Sequence, residues 1–136
     1  MAPFVFTTKN GHAGDRDTMR RYKKYGKQDQ RSLAACAADW AERVLPYFEK
    51  AYPKDNRPRK AIEACRTWVR TGVFKMADIR GASLAAHAAA REAKEDSAAC
   101  FTARAAGQAV ATAHVPTHSL GAAHYALQAI HTATDP

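Results

Sequence analysis

From about Asp29 onward, apolar residues return every three or four positions, the period of a helix with one buried face. In the first such stretch Leu33, Cys36, Trp40, Val44 and Tyr47 or Phe48 mark that face, with Asp39, Glu42, Arg43, Glu49 and Lys50 between them. Asp29 is placed to cap its start. Pro46 has no backbone donor, which predicts a kink or an early end at that point. Two prolines in the run Tyr52-Pro-Lys-Asp-Asn-Arg-Pro then stop the helix, and Asp55 or Asn56 can cap the next. That second helix is expected from about Pro58, which suits a first turn, to Arg70, with Ile62, Cys65 and Val69 on one face and Trp68 beside them. Gly72 stands where a left-handed C-terminal cap belongs.

After Gly72 the pattern changes, because roughly a third of the residues from Ala77 on are alanine, the best helix former. Three more helices are predicted, at about 75–93, 97–114 and 117–132, with Asp96 or Ser97 as a cap and Pro116 as the last break. Alanine faces let helix axes approach closely, so larger residues must fill the gaps elsewhere. Leu84, Phe101, Val110, Leu120, Tyr125, Leu127 and Ile130, with Trp40 and Trp68, are the expected fillers. The fold class is therefore all-α, a compact bundle of about five or more close-packed helices. Residues 28–136 form one helical domain, and residues 1–27 form an irregular arm with no sustained period. Phe4 and Phe6 are suited to dock that arm on its own domain or on a second copy, so a homo-oligomer through the arm is conceivable.

Charge sharpens the division. Residues 1–31 carry eight Lys or Arg against three Asp or Glu, residues 41–75 carry nine against four, and residues 76–136 carry four against five. The basic character belongs to the first half, which favours phosphates or an acidic protein surface as partners. The chain has no run of apolar residues long enough to span a membrane, and MAPFVFTTKNGHAG lacks the features of a secretory leader. A cytoplasmic protein with no membrane partner is expected. Cys36, Cys65 and Cys100 are odd in number and far apart, each among apolar residues, and are expected to be small hydrophobes rather than disulfides or zinc ligands.

Candidate chemistry falls into three groups. His114 and His118 are four apart, the minimum spacing for a metal pair, but Pro116 interrupts them and no HExxH accompanies them, so no metal and no cofactor are assigned. Asp39 with Arg43 around Trp40, Asp55 with Arg57 and Arg59, and His87 with Arg91 form a charged cluster on otherwise small faces. Buried charges must pair, so these are read as a salt-bridge network or as the wall of a polar pocket. Arg20, Arg21, Lys23, Lys24 and Lys27, interleaved with Tyr22 and Tyr25, are the alternative, a nucleic-acid contact through phosphates and stacking. No nucleophile elbow, P-loop or dinucleotide fingerprint is present, so no catalytic residue is assigned, and a histidine-based pocket is the remaining enzymatic or metal alternative.

Four blocks carry a further indication: AADWAERVLPYFE at 37–49, DNRPRKAIEACRTWVRTG at 55–72, AAHAAARE at 85–92 and AAGQAVATAHVPTHSLGAAHYA at 105–126. In order and spacing they resemble the putative immunity protein family of bacterial polymorphic toxin systems, small all-helical proteins, over about residues 30–130. The resemblance implies a protein that binds and neutralises a cognate toxin by contact rather than by chemistry. It also implies that Asp39, Arg43, Asp55, Arg57, Pro58, Arg59, His87, Arg91, His114 and His118 matter for fold or recognition. The chain departs from that pattern at Pro116 and in the arm. Its basic first half favours a toxin with an acidic surface over a nuclease.

Overall fold

The computed structural model describes residues 26–135, which form five helices. They are α1 (Lys27–Ala51), α2 (Arg57–Thr71), α3 (Met76–Glu92), α4 (Ser97–Ala111) and α5 (His118–Thr134). The bundle is compact and all-α, as the periodicity predicts. Arg20, Arg21, Lys23 and Lys24 lie outside the described residues, and Lys27 is the exposed first residue of α1.

α4 is the axis of the assembly and packs against all four other helices. Its sequence explains why: Ala99, Ala103, Ala105, Ala106, Gly107, Ala109 and Val110 are buried over most of its circumference, and the stripe of Phe101, Arg104, Gln108 and Ala111 is partly exposed. α1 crosses α2, α4 and α5, and α2 also meets α3. α3 and α5 lie along α4 without packing on each other, which leaves a gap between them.

The ends of the helices follow local chemistry. Gly72 adopts φ 71° and its N–H donates to the Trp68 carbonyl at 2.7 Å, the left-handed cap that closes α2. The Asp96 carboxylate accepts from the Ala99 N–H at 3.0 Å and caps α4. Asp55 Oδ1 accepts the Arg57 N–H at 3.1 Å at the start of α2. Asp29 is not a cap: α1 begins earlier, after Gly26, and Asp29 falls in the first turn, where a negative charge still opposes the positive end of the helix dipole. Its neighbours have a different task. Gln30 Nε2 donates to the carbonyls of Thr112 and Ala113 at 2.9 and 3.0 Å, just past the end of α4. The Arg31 guanidinium donates to the carbonyls of Val69 and Arg70 at the end of α2. Two successive residues of α1 thus satisfy carbonyls left open where two other helices finish.

Two expectations about α1 need correction. The helix does not end at Pro46 but runs on to Ala51. Pro46 and Glu42, whose carbonyl loses its helical donor to the proline, are both exposed residues, while Leu45 and Phe48 anchor the following turn in the core. The buried stripe is also rotated from the one marked by large residues. Ala34, Ala37, Ala38, Ala41, Val44, Leu45 and Phe48 face inward, whereas Leu33 and Cys36 are exposed and Trp40 is half-buried. Alanines let α1 settle closely on α4, and bulkier residues would hold the axes apart.

Of the expected fillers, Val110 and Trp68 are buried, and Phe101, Tyr125, Ile130 and Trp40 pack against the main cluster from its edge. Leu84 and Leu127 do not fill the core and are more than half exposed. Cys65 is buried with its thiol near the Ala34 and Ala109 carbonyls at 3.5 and 3.3 Å, and burial pushes its pKa up to about 12. It is the small hydrophobe expected of it, and exposed Cys36 is not.

Candidate functional site

Where α3 and α5 diverge over the end of α4, a cleft of about 330 Å³ opens, lined by Met76, Ile79, Arg80, Ser83, Leu84, Ala111, His114 and His118. Pro116 makes it possible. The chain leaves α4 after Ala111, turns through residues 112–117 and re-enters a helix at His118, so His114 and His118 come to the same cleft from the turn and from the first turn of α5.

Beneath the cleft two glycines of helix interiors make room for polar side chains. A Cβ on Gly107 would lie 2.7 Å from Nε2 of His87, so the imidazole rests directly on the α4 backbone. A Cβ on Gly121 would lie 2.9 Å from the amide of Gln108, which occupies the corresponding space against α5. Ser83 Oγ donates to the Gly107 carbonyl at 3.0 Å. An arginine only donates, so Nδ1 of His87, 3.0 Å from Arg104 Nη1, accepts. His118 is set the other way, its Nδ1–H donating to Gln108 Oε1 at 2.6 Å. His114 is exposed and stacks on Phe74, ring centroids 6.3 Å apart.

Burial pushes the pKa of His87 down, with the positive charges of Arg104 and Arg91 and the nearby His118 adding to the effect. Burial also lowers that of His118, with His114 adding to it. Both imidazoles are therefore neutral in the folded protein at neutral pH, while the unfolded chain titrates near the ordinary value of 6.5. Below that value the unfolded state takes up protons that the folded state refuses, so stability falls as pH falls toward the lower folded values. Urea unfolding at pH 7.5, 6.5 and 5.5 is expected to show this loss, and His87→Gln is expected to flatten it. An unchanged pH slope in that variant would contradict the assignment.

Apolar side chains surround the cleft. Val73, Phe74, Met76 and Leu84 are 60%, 42%, 43% and 56% exposed, and they are four of the six large apolar residues left exposed among the described residues. Met76 and Leu84 line the cleft, Phe74 stacks on His114, and Val73 borders a second dent that shares Ile79. Single exposed apolar residues are ordinary, but several together beside a concavity are not.

A family model described as "Imm-5 like putative immunity protein" matches residues 23–136. The chain belongs to that family. The match takes in all five helices and the cleft. No curated protein and no solved structure matches the chain at a significant level.

The charged residues predicted from the sequence of this immunity-family member are distributed over separate places rather than one. Asp39 bonds Arg66 at 2.9 Å, and Arg66 also reaches Glu42 at 3.1 Å; Arg43 is exposed. Arg57 grips Asp55 through Nε and Nη2 at 2.9 and 2.6 Å and ties α2 to α3 through Glu92 at 2.7 Å. Arg59 holds Glu49 of α1 through two bonds of 2.6 Å. Hydrogen bonds from Arg57 and Arg59 hold the carboxyls of Asp55 and Glu49 below their ordinary pKa values. These pairs are partly exposed, where each contributes about 0–1 kcal/mol. His87 shares α3 with Arg91, but its bond goes to Arg104 and Arg91 is exposed. Trp40 packs half-buried against the main core. Among the described residues no three or more His, Cys, Asp or Glu side chains gather as a metal site.

Sequence reasoning missed Ser83, Arg104, Gly107, Gln108 and Gly121. The two glycines were the available signal, because a glycine inside a helix costs about 1 kcal/mol relative to alanine and is usually kept for close packing.

Proposed function

We propose that this protein binds a bacterial toxin domain and neutralises it by contact, in the cytoplasm, with the apolar rim of the cleft as the centre of the interface. The observation that carries this reading is the exposure of Met76 and Leu84 on the cleft wall, with Phe74 stacked on its His114 and Val73 at the adjoining dent, in a chain of the immunity-protein family. Apolar anchors beside a pocket are what a protein partner uses to exclude water and gain affinity. The hydrogen bonds of the two half-buried imidazoles run to Arg104 and Gln108 rather than to a nucleophile, which supports action by contact rather than catalysis. The ion pairs of Asp39, Asp55, Arg57 and Arg59 hold the helices in register at a distance from the partner. The basic surface of the first half steers an acidic toxin surface toward the chain.

Co-expression in bacterial cells with the toxin encoded beside this gene tests the reading. Survival is expected with the wild-type chain. It is expected to fail with Leu84→Asp, which places a charge on the rim, and to persist with Leu127→Asp, an equally exposed leucine on α5 away from the cleft. If no neighbouring gene product is toxic in a way the wild-type chain relieves, the proposal is wrong.

A further inference from the structure

We infer that the cleft receives an acidic side chain of the protein partner, with an apolar residue adjacent to it resting on the rim. This inference deepens the toxin-binding reading and rests on it.

The chemistry of the lining leads to it. Arg80, His114, His118 and Ser83 supply its polar groups, and no carboxylate is among the lining residues. Arg57, Arg59 and Arg66 are each matched with a carboxylate, whereas among the described residues Arg80 has no such partner. The acidic residue nearest to it in sequence, Asp78, borders the other dent with Lys75. Ser83 is committed to the Gly107 carbonyl and His118 Nδ1 to Gln108, so the Arg80 guanidinium is the permanent charge left to meet a ligand. A guanidinium beside apolar walls matches a carboxylate in both charge and planar geometry. Met76, Ile79 and Leu84 make those walls, and their apolar area is used only by a ligand that carries an apolar group next to its acid.

A nucleic-acid strand fits less well, because its repeated phosphates call for a track of cations and the cleft offers one arginine between apolar surfaces. A free small anion would leave the rim uncovered. An acidic segment of a protein with an apolar neighbour engages both parts, and it agrees with the positive charge of the chain as a whole.

The test uses the full chain, with the imidazole Cε1–H signals of His114 and His118 followed by NMR. The probes are acetyl-Leu-Glu-Leu-amide, its glutamine counterpart and inorganic phosphate. The Glu peptide is expected to shift both signals and to leave His131, exposed near the end of α5, unmoved. The Gln peptide and phosphate are expected to do so far less, and Arg80→Gln is expected to abolish the response. With the neighbouring toxin domain itself, Arg80→Gln is expected to weaken binding about tenfold to a hundredfold, as loss of a charged hydrogen bond does, while Lys94→Gln, an exposed position in the turn between α3 and α4, leaves it unchanged. An equal response to the Gln peptide, a stronger one to phosphate, or full toxin binding by Arg80→Gln overturns the inference. Protection of cells by the wild-type chain together with any of those results would discard the acidic-ligand assignment and leave toxin neutralisation standing. A Glu-specific shift without protection would do the reverse.

Discussion

Phe48→Ala is expected to destabilise the protein by about 3–5 kcal/mol, the cost of emptying a fully buried aromatic site. The size of the loss follows from the neighbours. Phe48 is 1% exposed and is surrounded by Ala89, Ala90, Ala93, Ala99 and Ala103 from α3, α4 and the turn between them. Alanines have no rotamers with which to fill a vacated space, so the cavity would persist unless the helices themselves moved. The Tyr52 ring, 5.2 Å from the Phe48 ring, borders the site from one side only. Phe48→Leu keeps most of the volume and should cost much less. Leu127→Ala, at a position 53% exposed, should stay within about 0.5 kcal/mol of wild type. Urea unfolding of the three variants checks the series, with the midpoint moving and the slope constant. A Phe48→Ala loss below that of Phe48→Leu would mean that the alanine helices collapse into the space.

The same alanines explain what the sequence made legible. Features set by local backbone chemistry were readable: the left-handed cap at Gly72, the Asp96 cap, Pro58 in the first turn of α2 and the break at Pro116. The five-helix division followed from them. The inward face of α1 was not readable, because a reading that weights large apolar residues selects Leu33 and Cys36 and overlooks Ala34, Ala37 and Ala41. In this bundle small size decides which face is buried. The same weighting of large residues selects Leu84 as a core filler, whereas it stands exposed on the wall of the cleft. Of the charged residues, Asp55 and Arg57, two positions apart, were readable as partners, and the others only as types. Spacing of four residues pairs Asp39 with Arg43 and His87 with Arg91, but the bonds go to Arg66 and Arg104, on other helices. Such partners depend on how helices cross, which no local pattern encodes. His114 and His118, with three residues between them, line a common cleft although Pro116 breaks the helix between them.

Gly107→Ala is expected to reverse sign with the side chain at position 87. In a helix interior this exchange ordinarily gains about 1 kcal/mol, since alanine loses less backbone entropy on folding. Here the new Cβ would stand 2.7 Å from Nε2 and 2.9 Å from both Cδ2 and Cε1 of His87, so the whole ring edge must withdraw. The ring is held by Arg104 at Nδ1, and Ser83 binds the Gly107 carbonyl just above it, so α3 cannot shift without breaking one of these contacts. Overpacking of this kind costs about 1–3 kcal/mol, which outweighs the entropic gain. In a His87→Ala background the obstruction is gone, and Gly107→Ala should then stabilise by up to about 1 kcal/mol. The gain cancels between the two backgrounds, so the coupling equals the overpacking cost, about 1–3 kcal/mol, in a double-mutant cycle measured by urea unfolding of the four proteins. Additive effects would show that His87 does not rest on the α4 backbone. A stabilising Gly107→Ala in the presence of His87 would show that the ring swings away freely, and the support of the cleft would then have to lie in Gln108 and His118 alone.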